Sequence, residues 1–195
     1  MSARPTRLHE TGMTLVEIMV SLVIFAIVVG SLTTILFSST RAGARTAERA
    51  DVQGACRQTM SLMSTEIRQA GADPRIPPIG VVGIVYADSV TLRTRADHTA
   101  DGVIQTTEPS EDITYSYVDS SGTLTRNPGT GAVQVLGNIT AMRFTYFDAA
   151  NTPLTMLPLS ATNAAQVRSV GITITGLQGA AAPFTLSSRV MLRNR

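Results

Sequence analysis

The sequence predicts an α+β fold, one long N-terminal helix followed by antiparallel β-sheet. Three observations predict it. Ile18 to Phe37 is a run of twenty residues without a charge. Val52, Cys56, Thr59, Met63, Ile67 and Ala70 then recur at spacings of three or four, drawing one apolar stripe on a helix. Beyond Pro78 that period is lost and apolar residues alternate with polar ones, the period of a strand.

The apolar run comes first. At about 1.5 Å per residue, twenty residues span roughly 30 Å, the hydrocarbon thickness of a bilayer. A buried core helix is seldom uncharged for so long. A cleaved secretory signal has an apolar region of only about 7–15 residues, although Ala42-Gly43-Ala44 follows the run. Arginines flank both ends, Arg4 and Arg7 before and Arg41, Arg45 and Arg49 after, so charge alone leaves the orientation open. Glu17 stands at the very start of this apolar stretch. A carboxylate there calls for a partner, and Arg7 lies well before it, with Gly12 between as a break in the helix.

Gly12-Met13-Thr14-Leu15-Val16-Glu17 resembles the processing site of type IV prepilins and pseudopilins. The resemblance implies a basic leader, Met1 to Gly12. It implies cutting after Gly12 by a prepilin peptidase and methylation of the new amine on Met13. Family members more often carry Phe where this chain has Met13. The family's conserved acid falls on Glu17, four residues beyond the new amine and on the same helix face. In the family that acid neutralises the terminal amine of a neighbouring subunit, which makes Glu17 an assembly residue.

The second half of the helix is amphipathic. Arg45, Arg49, Arg57, Glu66 and Arg68 are expected to face away from the apolar stripe, and Gly43 and Gly54 to bend or fray the helix. Cys56 sits on the stripe as a small buried hydrophobe. Asp73-Pro74 and Pro77-Pro78 end helical structure. Met60 to Gly71, MSLMSTEIRQAG, looks like the helix end of PilW-type minor pilins and of the J-type pseudopilin of type II secretion. The matching residues include Glu66, Ile67, Arg68 and Gly71, the last well placed to terminate a helix.

The strands follow in order. They are expected at Ile79–Ala87, Ser89–Arg95, Asp112–Val118, Thr123–Arg126, Val133–Leu136, Ile139–Phe147, Val167–Thr175 and Thr185–Leu192. Asp119-Ser120-Ser121-Gly122 makes a hairpin turn. Met142, Phe144 and Tyr146 share a face, as do Val170, Ile172 and Ile174. Segments 95–111 and 148–166 read as loops. One or two sheets would wrap the outer half of the helix. The Tyr-bearing strand, Leu124 to Arg126, Phe144 to Tyr146 and Ser187 to Asn194 also look like landmarks of those minor pilins.

Composition narrows the function. The 195 residues carry 16 basic and 14 acidic side chains, every base an arginine, for a formal charge of +2. So balanced and scattered a set gives no electrostatic footprint for nucleic acid. One cysteine, Cys56, permits no intrachain disulfide. No phosphate loop, nucleophile motif or zinc spacing occurs. His9 falls in the leader. His98, near Asp97 and Asp101, is at most a fragment of a metal site. Asn138-Ile139-Thr140 is formally a glycosylation acceptor. Neither an enzyme nor a cofactor is expected.

The resemblance implies four segments: leader 1–12, transmembrane assembly helix 13–40, amphipathic extension 41–72 and β-rich head 73–195. It implies a pilin-like subunit in the inner membrane, crossing once, with the head in the periplasm. Its partners would be the prepilin peptidase, other minor pilins or pseudopilins, a major pilin, the inner-membrane assembly platform and the lipid bilayer. The role expected is a minor pilin that initiates or caps a filament. A minor pseudopilin of type II secretion and a membrane-tethered binding or enzymatic module are the alternatives, with a tip that acts as an adhesin or takes up DNA as a further one.

Overall fold

The structure, a computed structural model, describes residues 12–107, 110–178 and 181–194. The proposed leader up to residue 11, with Arg4, Arg7 and His9, lies outside the described residues. The chain forms two compact units, one through Ala47 and one from Glu48 onward. A helix, α1 (Leu15–Gln69), runs without interruption through Gly30, Gly43 and Gly54, so none of these glycines breaks it.

In the first unit α1 exposes its apolar side chains on every side: Leu22, Phe25, Ile27, Ile35 and Phe37 are all more than half exposed. Most of its hydroxyls bond to its own carbonyls. Ser31 donates to the Val28 carbonyl, Thr33 and Thr34 to that of Gly30, and Ser38 to that of Ile35, at 2.8–2.9 Å. A helix apolar all round with most of its hydroxyls bonded to its own backbone suits hydrocarbon. It is long and apolar enough to cross a membrane.

The second unit holds the sheets. The first sheet has five strands in chain order: β1 (Ile84–Ala87), β2 (Thr91–Arg95), β3 (Asp112–Val118), β4 (Thr123–Asn127) and β5 (Val133–Leu136). The second, in the order β7-β6-β8-β9, comprises β6 (Ile139–Phe147), β7 (Pro153–Leu154), β8 (Ser169–Gln178) and β9 (Ala181–Met191). All pairings are antiparallel. Alternation does the sorting: Leu92, Tyr115, Tyr117, Leu124, Met142, Phe144 and Tyr146 point inward, each 3% exposed or less. They share one core with Cys56, Met60, Met63 and Ile67 of α1 and with Ala70 just beyond its end. The sheets meet at the β1–β2 turn, where Phe144 donates its N–H to Ser89 (2.8 Å) and the Tyr146 hydroxyl donates to the Asp88 carbonyl (2.7 Å).

Two expectations need correcting. The strand foreseen from Ile79 begins only at Ile84, because Ile79 and Gly80 instead donate their N–H groups to Asp73 (2.6 and 2.9 Å). Segment 148–166 is not wholly loop. It holds β7 and a short helix, α2 (Ala161–Gln166), capped by Ser160, whose hydroxyl accepts from the Asn163 N–H. Leu159 before it donates to the Ala87 carbonyl (2.8 Å) and covers the edge of β1.

Candidate functional site

Three residues control the start of α1. Gly12 and Met13 are non-helical and exposed, and a side chain placed on Gly12 would meet nothing within 4 Å. The Gly12–Met13 bond is therefore open backbone just ahead of the first helical residue, the form in which a peptidase can bind a chain. Thr14 comes next and caps the helix. Its hydroxyl accepts the Glu17 N–H at 3.3 Å, while Glu17 Oε2 accepts from the Thr14 N–H and hydroxyl, also at 3.3 Å. This reciprocal arrangement is a capping box. The carboxylate also faces the positive end of the helix dipole. The acid at the start of the apolar segment thus has a partner inside its own chain, at the cost of one hydroxyl and one turn. Sequence reasoning missed Thr14, although Thr14-x-x-Glu17 is the spacing that signals such a box.

The other resemblance-bearing residues gather at the far end of α1. Gly71 takes φ +78°, the left-handed conformation that closes helices, and donates its N–H to the Arg95 carbonyl of β2 at 2.8 Å. The final carbonyls of α1 find donors in the chain's C-terminal segment. Arg193 N–H bonds to the Arg68 carbonyl (3.1 Å) and the Asn194 side-chain amide to that of Gln69 (3.3 Å). Gly83 packs against this end so closely that a Cβ there would lie 2.6 Å from Gly71 N. The IRQAG stretch is thus a docking corner: Ile67 is buried, the Arg68 side chain is exposed, and the last two carbonyls are capped from 125 residues away in sequence.

Glu66 departs from expectation. It does not point outward with Arg68. Its carboxylate takes a fork from Arg126 of β4, with Nη2–Oε1 at 2.7 Å and Nε–Oε2 at 3.1 Å, and a hydrogen bond from the Tyr115 hydroxyl of β3. The paired side chains are only 12% and 18% exposed. Burial, then the bonded carboxylate, push the Tyr115 phenol well above its ordinary range. The physical reason is reach. Glu66 lies beside Met63 and Ile67 on the helix, and two partners from the sheet face it, so turning outward would forfeit both of these bonds.

Two more buried carboxylates shape the long loop between β2 and β3. Glu111 accepts N–H bonds from His98, Thr99 and Gln105 at 2.9–3.1 Å, and Asp97 accepts from Ala100 (2.6 Å) and Gly102 (3.0 Å). Burial opposes ionisation of Glu111, but these donors outweigh it and hold its pKa below the usual carboxylate value. The imidazole of His98 is exposed. Among the described residues no three metal-ligating side chains converge. Cys56 is fully buried, and desolvation raises its thiol pKa. Asn138 is exposed at φ +58° in the β5–β6 turn.

Residues 7–33 match the family model described as the prokaryotic N-terminal methylation motif. No curated protein matches the chain. The motif implies processing by a prepilin peptidase and assembly with other pilin subunits. Together with a membrane-length apolar helix it supports a type IV pilin or pseudopilin in general, anchored in a membrane.

Proposed function

We propose that this chain is a minor pilin subunit that helps initiate or cap a type IV pilus-like filament. The reading rests on the methylation motif ending in a helix whose first turn carries Glu17. The peptidase cuts Gly12–Met13 and methylates the new amine of Met13. In the filament, Glu17 exchanges its capping contact for the cationic terminus of a neighbouring subunit. Burying an ion pair is not stabilising by itself, but leaving one member alone is costly. Glu17 therefore sets the depth at which a new subunit docks. The head, with over a hundred residues and two sheets, suits a tip or initiator better than a densely packed shaft. It lies in the periplasm or beyond, and its work is assembly rather than catalysis. A minor pseudopilin of type II secretion uses the same chemistry. Deletion tells the two apart by whether twitching or protein export is lost.

Intact-mass and N-terminal analysis of membrane-extracted protein, from cells with and without the peptidase, tests the processing. The expected product begins at methylated Met13 only when the peptidase is present. A full-length chain in peptidase-positive cells overturns the proposal. Glu17→Ala should leave membrane insertion intact and sharply reduce incorporation into filaments.

A further inference from the structure

The first unit ends in two cations that no acid inside that unit adjoins. Between residues 12 and 47 the acidic side chain is Glu17, at the opposite end, while Arg41 and Arg45 follow the apolar run directly; the next acid along the helix, Glu48, stands three residues beyond Arg45 and forms no ion pair with it. Both are exposed, and neither joins an ion pair among the described residues. They stand four residues apart, hence on neighbouring turns of one helix face, where like charges repel. Two neighbouring hydroxyls are already committed. Thr40 donates to the Leu36 carbonyl at 2.7 Å and Thr46 to that of Ala42 at 2.9 Å. The two guanidinium groups are thus the cationic functions nearest the apolar run on this side of it.

We infer that Arg41 and Arg45 form a clamp for the phosphate of an anionic phospholipid, in the leaflet that meets the C-terminal end of the span. The inference rests on the membrane-anchored reading above. Arg41 lies about 6 Å along the helix from Phe37, and the headgroup layer is about 5–7 Å thick on each side. Helical side chains lean toward the N-terminus, which here means back toward the membrane. Arg45 stands a further ~6 Å out, within the ~8 Å over which surface potential acts. Guanidinium matches phosphate with two parallel hydrogen bonds, and a phosphate shared by both arginines removes their mutual repulsion. A phospholipid is favoured over an acidic protein partner because the pair adjoins the apolar run, where lipid phosphate is at its highest concentration.

The test uses the full chain reconstituted in equimolar phosphatidylglycerol and phosphatidylcholine vesicles. Native mass spectrometry counts the lipids that remain bound, and carbonate extraction from the same vesicles scores anchoring. Wild type should retain phosphatidylglycerol over phosphatidylcholine by about fivefold per arginine, roughly 25-fold together. R41Q/R45Q should resist carbonate as wild type does and retain the two lipids equally. A carbonate-resistant wild type with no enrichment overturns the inference and leaves the anchor standing. A chain that carbonate extracts overturns both. Displacement of the retained lipid by excess inorganic phosphate would reassign the clamp to free phosphate. If the double variant keeps its lipid enrichment and loses only a co-purifying acidic protein, the clamp belongs to a neighbouring subunit and not to the lipid.

Discussion

Residues 15–47 and 48–69 belong to one helix but obey opposite rules. In the first stretch Phe25 is 68% exposed and Ile27 67%; in the second Met63 and Ile67 are fully buried. Neither helix propensity nor hydrophobicity separates Ile27 from Ile67. What differs is the medium each face was written for. The first stretch is apolar all round, and its burial has to come from lipid or from other subunits. The second is apolar on one stripe and finds its burial within the chain. A single secondary structure therefore carries two kinds of information, one addressed outward and one inward.

The sharpest way to break this comparison is a pair of identical substitutions. Ile67→Ala should destabilise the head by about 2–5 kcal/mol, the usual cost of a cavity in a packed core. Ile24→Ala, at a side chain 57% exposed in the chain alone, should leave the urea midpoint of the head unchanged. Tryptic resistance of the head during urea unfolding of the detergent-solubilised chain checks both. Equal losses would mean that the two stretches are not energetically separate.

The second prediction concerns charge. Glu66→Ala removes the acceptor shared by Arg126 and Tyr115 and should cost about 2–3 kcal/mol. That is less than the ~3–5 kcal/mol for a fully buried pair, since side-chain exposure of 12–18% admits some screening. Glu66→Leu with Arg126→Met should recover part of the loss, because an apolar pair needs no desolvation. A double variant no better than the single one would make the contact a matter of packing.

How far the fold could be read in advance follows the same division. The stripe from Val52 to Ala70, the strands at Asp112–Val118, Val133–Leu136 and Ile139–Phe147, and the turn at Asp119 to Gly122 were all legible. Each is set by periodicity or turn chemistry within a dozen residues. Glu66 was not legible as an inward residue, because its partners lie 49 and 60 positions away. Asp97 and Glu111 were hidden for another reason: their partners are local, 3 to 13 positions away, but they are main-chain N–H groups of an irregular loop, which leave no residue pattern to read. Helix α2 was hidden because six residues carry too little periodicity, and only the Ser160 cap marks its start. The methylation motif at the N-terminus was readable for the opposite reason: its recognition is linear. The capping box, equally linear, was simply passed over.

Acid should separate the regions next. Asp112 is 3% exposed, and burial alone would raise its pKa. The bonds from Arg93 (2.7 Å) and Arg95 (2.8 Å) outweigh burial and lower it, as main-chain donors do for Glu111. A carboxylate whose folded pKa lies below its unfolded value contributes stability above that unfolded value, about 3.9 for Asp and 4.3 for Glu. The contribution disappears as pH falls through the folded pKa. Head stability should therefore stay flat with respect to these groups between pH 7 and about 5 and decline below about 4. Asp112→Asn should flatten that decline while lowering stability at pH 7. A head whose acid limb is unchanged by Asp112→Asn would show that other groups dominate.

The smallest effect expected is a difference of sign between two glycines. Gly71 sits at φ +78°, and a Cβ there would approach the Asn194 carbonyl oxygen to 2.9 Å. Gly71→Ala should cost about 1–2 kcal/mol from the left-handed backbone, with any shift of the C-terminal segment added. Gly43 lies inside α1 with nothing within 4 Å of where a Cβ would go. Gly43→Ala should therefore favour the helix by about 0.5–1 kcal/mol, seen as a small gain in circular dichroism at 222 nm and not as a shift in head unfolding. The opposite signs follow from one rule, since a glycine is needed where the chain must turn or make room and is merely tolerated elsewhere. If Gly43→Ala instead impairs filament incorporation while helicity rises, the missing side chain at 43 is needed by a neighbouring subunit. Its reason would then be written outward, like those of Phe25 and Ile27.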